Sequence, residues 1–221
     1  MKIKVCGMRE ESNILALSGL RPDYMGLIFY AASKRYAEHV DLSVLEDISP
    51  QIRVTGVFVN EEADKVMQKV AQFKLKAIQL HGQETPAYCR ALRLALKSED
   101  PGIELIKAFG VHEAFDFGIL NQYRDDVDFF LFDTKTPEHG GSGIKFNWQL
   151  LEKYQLDKPY FLSGGIGLED LEQLKELSLP NLYAVDINSK FEAVPGIKDI
   201  GQVKRAITLI RNASAPEISQ E

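Results

Sequence analysis

Apolar and polar positions along this chain follow two alternating periods. Short runs that are apolar on both faces, such as "KIKVC", "YMGLIF", "IRVTGVFV" and "KAIQLH", are each followed by a stretch with helical spacing. Runs of the first kind suit parallel strands covered on both sides, which read as near-continuous apolar segments. The second kind is clearest in "EEADKVMQKVAQF", where Val66, Val70 and Phe73 fall on one side of a helix. "EESNILALSG" predicts a helix closed by Gly19. The succession continues through the strand-like runs "IELIKAF", "VDFFLFD", "PYFLSGG" and "LYAVDIN". Helices are expected at "DLSVLEDIS", "ETPAYCRALRLALK", "EAFDFGILNQY", "NWQLLEKY", "LEDLEQLKEL" and "IGQVKRAITLIR".

Eight strand–helix units in 221 residues predict an α/β chain folded as a single-domain (β/α)8 TIM barrel, near the lower size limit of that fold. The structural alternative is a doubly wound open sheet. That fold usually carries a GxGxxG turn after its first strand, and the segment here is "CGMREE". No break in composition marks a second domain. Residues 1–212 are therefore assigned to the barrel and 213–221 to a polar C-terminal tail.

Composition narrows the function. A hydrophobic fraction of 45% supports one substantial core. A formal net charge of -6 is the wrong sign for a nucleic-acid partner, which needs a basic footprint. The two cysteines, Cys6 and Cys89, have no metal-binding spacing, and the four histidines are scattered, so no metal site is expected. This cysteine usage fits a reducing compartment. "MKIKVCGM" is too short and polar for a signal segment, and no apolar run reaches the roughly 20 residues that span a bilayer. A cytoplasmic chain without a membrane partner is expected.

Active-site groups of this barrel stand at the C-terminal ends of strands and on the loops that follow. Those positions hold Cys6, Arg35, Gln79 and His81, Asp133, "SGGIG", and Asp186 with "INSKFEAVPGIKD". Two glycines after a strand let backbone amides approach an anion, so "SGGIG" is a candidate phosphate loop. Each of the others has an ordinary reading beside the chemical one. Cys6 can be a buried structural thiol, Asp133 a turn cap, His81 a hydrogen-bonded wall residue and Arg35 half of a surface ion pair. Lys107 can neighbour a phosphate or lie solvated at the rim, and Cys89 fits plain packing.

Taken together, the motifs resemble one family. "KVCGM", "GLIFYAASKRY", "VTGVFVN", "IQLHG", "LFDTKTPEHGGSGIKFNW", "FLSGGI" and "VDINSKFEAVPGIKD" occur in the order found in the phosphoribosylanthranilate isomerases of tryptophan biosynthesis. The resemblance covers nearly the whole chain. It implies a cofactor-independent Amadori rearrangement of a phosphosugar–anthranilate substrate, an aminoaldose becoming an aminoketose. It further implies Cys6 as general base and Asp133 as general acid. Arg35 falls where the family binds the anthranilate carboxylate. Gly164 and Gly165, with Asn188, Ser189 and Lys190, fall where it binds phosphate, and His81 and Asp186 line the pocket. A monomer is expected, with a dimer as the alternative.

Other phosphosugar chemistries fit less well. A lyase-type ring closure such as that of indole-glycerol-phosphate synthase would call for strand-end lysines and glutamates, and a metal-dependent epimerase for several strand-end histidines. A phosphate-ligand binder would keep "SGG" without needing Cys6 or Asp133. Three positions depart from the family pattern: Lys190 stands where glycine is common, Lys34 where proline is frequent and Asn147 where aspartate is common. Lys190 is expected to keep a negative φ, with its ammonium group facing the phosphate or solvent.

Overall fold

The short apolar runs pair in chain order, each parallel to the one before, and the eighth closes onto the first. The computed structural model describes residues 1–135, 145–174, 177 and 179–212. The barrel strands are β1 (Lys2–Val5), β2 (Tyr24–Ile28), β3 (Arg53–Phe58), β4 (Ala77–Leu80), β5 (Glu104–Val111), β6 (Phe129–Thr134), β7 (Tyr160–Leu162) and β8 (Leu182–Ile187). Around them lie α1 (Glu11–Gly19), α2 (Leu42–Glu46), α3 (Ala63–Phe73), α4 (Pro86–Glu99), α5 (Leu168–Gln173) and α6 (Ile200–Asn212). After β8 a small antiparallel hairpin, β9 (Glu192–Val194) and β10 (Ile197–Lys198), precedes α6. The tail assigned to 213–221 and the segment 136–144, with its Gly-rich "GGSG", lie outside the described residues.

The helices begin where local chemistry satisfies their first amides. Glu10 accepts from the Ser12 and Asn13 amides ahead of α1, and Thr85 accepts from Tyr88 ahead of α4, whose first residue is Pro86. Two expected α-helices are instead 3₁₀ segments, Phe117–Gln122 and Trp148–Lys153. In the first, Asp116 accepts from the Gly118 amide and that glycine sits inside a run of only two 3₁₀ turns. In the second, Asn147 bonds the Gln149 amide, and the chain leaves through Tyr154, whose hydroxyl donates to the Lys158 carbonyl at 2.6 Å.

Side-chain alternation divides the strands between two cores. One parity faces the helices and joins residues such as Ile3, Val5, Leu105, Phe130, Phe132 and Leu162. The other faces the barrel axis, where Tyr24, Ala77, Ile106, Phe129, Leu131, Phe161 and Ala184 fill the lower interior. Phe161 meets Tyr24 and Phe129 edge-on, with ring centroids 5.1 and 5.4 Å away. Lys107 has the outward parity. It is neither a phosphate neighbour nor a solvated rim residue, because its ammonium is buried 2.9 Å from the Glu84 carboxylate. Glu84 also accepts from the Asn60 and Gly82 amides, so this pair ties the loops after β3 and β4 together. Cys89 is fully buried in α4 and serves packing.

The inward aromatic cluster is the floor on which the upper layer rests. Phe161→Ala should lower unfolding free energy by about 3–5 kcal/mol, the usual cost of emptying a buried aromatic site. Urea titration followed by circular dichroism measures this, and a loss below about 1 kcal/mol would show that the floor is not a packed layer.

Candidate active site

The inward parity that supplies the apolar floor supplies polar side chains two and four residues further along the strands, as in Ala77, Gln79 and His81 or Leu131 and Asp133. The result is a pocket at the C-terminal mouth, open to solvent. Cys6, Arg35, His81, Asp133, Gly164, Gly165, Asp186, Asn188 and Ser189 all line it. Lys190 does not. It lies in a 3₁₀ turn over Ser189–Phe191, its φ is not positive, and its side chain is exposed.

Cys6 follows the last residue of β1, but its amide still bonds the Ile187 carbonyl of β8 at 2.9 Å, so the strand ladder holds it. The next two amides, of Gly7 and Met8, both donate to Gly26 O at 3.0 Å. Gly7 has φ +80, and a Cβ there would stand 2.7 Å from Arg35 Cδ and 2.8 Å from Asn188 Oδ1. Gly26, on the adjacent strand, leaves the room that the thiol fills, since a Cβ there would lie 2.7 Å from Cys6 Sγ. The thiol is thus fixed from below and from the side.

Two residues earlier on the same face, Lys4 is wholly buried and donates to Asp186 Oδ2 at 2.9 Å. Burial pulls the Lys4 ammonium down, but Asp186 and Cys6 together hold it above its ordinary value. Burial likewise pushes the Asp186 carboxyl up, against the pull of Lys4. For Cys6, burial dominates and pushes the thiol above 9.0, with Lys4 and Lys198 opposing it and Asp186 reinforcing it. Burial thus disfavours the thiolate, and the Lys4 and Lys198 ammonium groups favour it.

Asp133 has the turn-cap role that its sequence position allowed. Its Oδ1 caps the following turn by accepting from the Thr134 amide at 2.7 Å, while Oδ2 lies 3.3 Å from His81 Nε2. His81 Nδ1 is 2.6 Å from the Gln79 side-chain amide. With the Gln79 nitrogen facing it, Nδ1 accepts and the ring proton sits on Nε2, directed at an Asp133 carboxylate. With the Gln79 oxygen facing it, Nδ1 donates.

The loop after β7 reaches the same place. Gly164 and Gly165 have φ of +97 and +62, a conformation that favours glycine. A Cβ on Gly164 would stand 2.5 Å from Thr134 Oγ1 and 3.0 Å from Asp133 Oδ1, so the turn lies flat against the end of β6. Arg35, on the loop after β2, presents its guanidinium to the pocket while Glu192 grips it from behind at 2.7–3.1 Å.

Sequence reasoning missed several members of this site. Lys4 could have been found from its parity with Cys6. Ser163, which also lines the pocket, precedes the glycines that drew attention. Gly26, Glu192 and Lys198 depend on cross-strand register and on a returning hairpin, which no local motif encodes. Among the described residues, no three His, Cys, Asp or Glu side chains converge as a metal site requires, and no helix is long and apolar enough to cross a membrane.

Comparison with known proteins gives one consistent result. The family model for N-(5'-phosphoribosyl)anthranilate isomerase matches residues 3–208. A relative of that name from Parabacteroides distasonis is 40% identical over 212 residues, covering 95% of this chain and 93% of its own. The crystal structure of phosphoribosyl anthranilate isomerase from Thermotoga maritima superposes with a TM-score of 0.80 at 33% identity, covering 96% of this chain and 99% of that one. A further crystal structure, of a phosphoribosyl anthranilate isomerase in complex with reduced 1-(o-carboxyphenylamino)-1-deoxyribulose 5-phosphate, superposes with a TM-score of 0.76 at 29% identity. It covers 96% of this chain and 99% of that one.

The thiol environment generates a direct expectation. A thiol whose ionisation is pushed upward holds less thiolate at neutral pH, so alkylation slows. In a Cys89→Ala background, iodoacetamide should modify Cys6 of the ligand-free protein slowly at pH 7. The rate should still be rising past pH 9. Mass spectrometry of timed samples measures it, and a rate already at its plateau at pH 7 would contradict the burial argument.

Proposed function

Because the chain belongs to the N-(5'-phosphoribosyl)anthranilate isomerase family, its activity is that of an aldose–ketose isomerase, and we propose that Cys6 and Asp133 divide the proton transfers of its reaction. The reaction converts N-(5'-phosphoribosyl)anthranilate to 1-(2-carboxyphenylamino)-1-deoxyribulose 5-phosphate, an Amadori rearrangement. The observation that carries this division is that the strand-end thiol and the strand-end carboxyl line one pocket, each anchored by backbone hydrogen bonds.

The chemistry assigns each group a task. Asp133 gives a proton to the furanose ring oxygen as the C1–O bond breaks, and the anilino nitrogen forms an iminium with C1. That iminium is an electron sink supplied by the substrate itself, which makes the C2 proton acidic. Cys6 removes this proton; the C–H electron pair becomes the C1–C2 double bond, and the iminium electrons return to nitrogen. The resulting enolamine gains a proton at C1 and loses one from the C2 hydroxyl, giving the ketone. The proton count closes when the cycle starts from a protonated Asp133 and a Cys6 thiolate whose proton has gone to solvent: the first two steps leave Asp133 ionised and Cys6 protonated, and in the last Cys6 gives a proton to C1 while Asp133 takes the one from the C2 hydroxyl.

The upward push of burial on the Cys6 thiol is compatible with this order. Ring opening precedes proton abstraction and puts a positive iminium in the pocket, which joins Lys4 and Lys198 in favouring the thiolate. The family's phosphate subsite corresponds to the positive-φ glycines and the loop at Asn188 and Ser189. Arg35 suits the anthranilate carboxylate, since a guanidinium fork matches a carboxylate geometrically. Asp186 Oδ1 and Gln79 Oε1 are buried without a hydrogen-bond partner among the described residues, so ribose hydroxyls donating to them would satisfy both.

Turnover of freshly made phosphoribosylanthranilate, followed by loss of its fluorescence, tests the proposal. Cys6→Ala and Asp133→Asn should each lower kcat by about 10²-fold or more, the scale of a lost acid or base. Near-normal turnover in either removes that residue from the mechanism. Gly26→Ala should also lower kcat, by about 10²-fold, because the added methyl displaces the thiol without changing its chemistry. An unaltered kcat there would mean that the position of Cys6 is not critical.

A further inference from the structure

The hairpin that follows β8 has a use that the barrel itself does not require. Its turn is written into "VPGI": Pro195 presets one dihedral and Gly196, at φ +88, supplies the left-handed residue that closes it. The return strand pairs Lys198 with Glu192 across the antiparallel ladder. The Lys198 ammonium then donates to Glu192 Oε1 at 2.6 Å and to Asn188 Oδ1 at 2.7 Å. The Gly196 amide adds a third donor to Glu192 at 3.1 Å. Asn13 completes the anchor by exchanging hydrogen bonds with the Lys198 backbone at 2.8 and 3.0 Å.

Glu192 spends its remaining capacity on Arg35. Nε and Nη2 of the guanidinium both donate to it, so one edge of the fork is occupied and the Nη1–Nη2 edge is left over. Arg35 lines the pocket, whereas Glu192 and Lys198 stand behind it. The side chains are 11% exposed for Arg35, 4% for Glu192 and 0% for Lys198, so solvent does little to screen them. Arg35 and Lys198 carry two positive charges against one negative charge on Glu192. A carboxylate arriving on the free edge of Arg35 balances the cluster. Burial alone would raise the Glu192 carboxyl, but Arg35 and Lys198 hold it below its ordinary value, so it remains a charged acceptor.

We infer that Glu192, anchored by Lys198, is a positioning residue that locks the Arg35 guanidinium with its free edge toward the substrate carboxylate and so sets specificity for an anthranilate over an aniline. The inference rests on Arg35 being the carboxylate site, and the test separates the two. The probes are reduced 1-(o-carboxyphenylamino)-1-deoxyribulose 5-phosphate and the same compound with an unsubstituted phenyl ring. Affinities are measured by calorimetry for wild type, Arg35→Ala, Glu192→Gln and the double variant. Turnover supplies KM and kcat.

Glu192→Gln should weaken the carboxylate ligand by about tenfold, a 1.4 kcal/mol effect, and change the phenyl ligand less than about threefold. KM should rise with kcat little changed. In the Arg35→Ala background Glu192→Gln should have no further effect, because its only route to the ligand is gone. Glu192→Asp, which keeps the charge but shortens the reach, should fall between Gln and wild type and guards against a failure of the Gln variant to fold. Equal losses for both ligands on Glu192→Gln, or full additivity with Arg35→Ala, would overturn the inference and leave the carboxylate assignment standing. Equal losses for both ligands on Arg35→Ala would overturn the assignment and the inference with it.

Discussion

The Lys4–Asp186 pair is the interaction on which the mouth of this barrel depends. Both side chains point inward from adjacent strands, in register, and neither meets bulk water. Removing one partner of such a pair strands a charge in a low-dielectric interior, which typically costs about 3–5 kcal/mol. Its position also puts a permanent ammonium two residues below the Cys6 thiol and holds one oxygen of Asp186 aside, leaving the other for a ligand. The polar upper layer can exist above an apolar floor because its charged and polar groups are partnered: Lys4 with Asp186, Asp133 with the His81 ring, and Lys198 and Arg35 with Glu192.

That arrangement resolves an apparent conflict in using a cysteine as a base. A buried thiol resists ionisation, and burial pushes Cys6 in that direction. Lys4 and Lys198 oppose the effect of burial on the thiol, and under the proposed mechanism a cationic intermediate would add to them when proton abstraction is due. A thiolate held permanently would be open to alkylation and oxidation between turnovers. Rigid placement matters as much as charge. The Cys6 amide remains in the strand ladder, Gly26 leaves no slack beside Sγ, and the Gly164 turn presses on Asp133 from the far side.

Much of this was legible in the sequence, for a physical reason. In a closed parallel barrel, strand order follows chain order, so eight apolar runs suffice to say which residues share a mouth. Cys6, His81, Asp133 and Asp186 were readable because each ends an apolar run. What escaped depended on register or on short segments. Phe117–Gln122 and Trp148–Lys153 carry apolar residues at helical intervals, but Gly118 and the extended exit at Tyr154 leave only 3₁₀ turns. Lys107 looked like a strand-end cation, yet one residue of parity turns it away from the axis and onto Glu84. Glu192 and Lys198 reach Arg35 only because Pro195 and Gly196 fold the chain back.

The central claim is that acid and base act in separate steps, Asp133 on ring opening and Cys6 on C2. Single-turnover rates with substrate deuterated at C2 test it most directly. A full primary isotope effect should appear in Cys6→Ala, where proton abstraction has become the slow step. In Asp133→Asn ring opening limits the rate, and the effect should fall toward unity. A full isotope effect in Asp133→Asn together with none in Cys6→Ala would reverse the two roles and contradict the account.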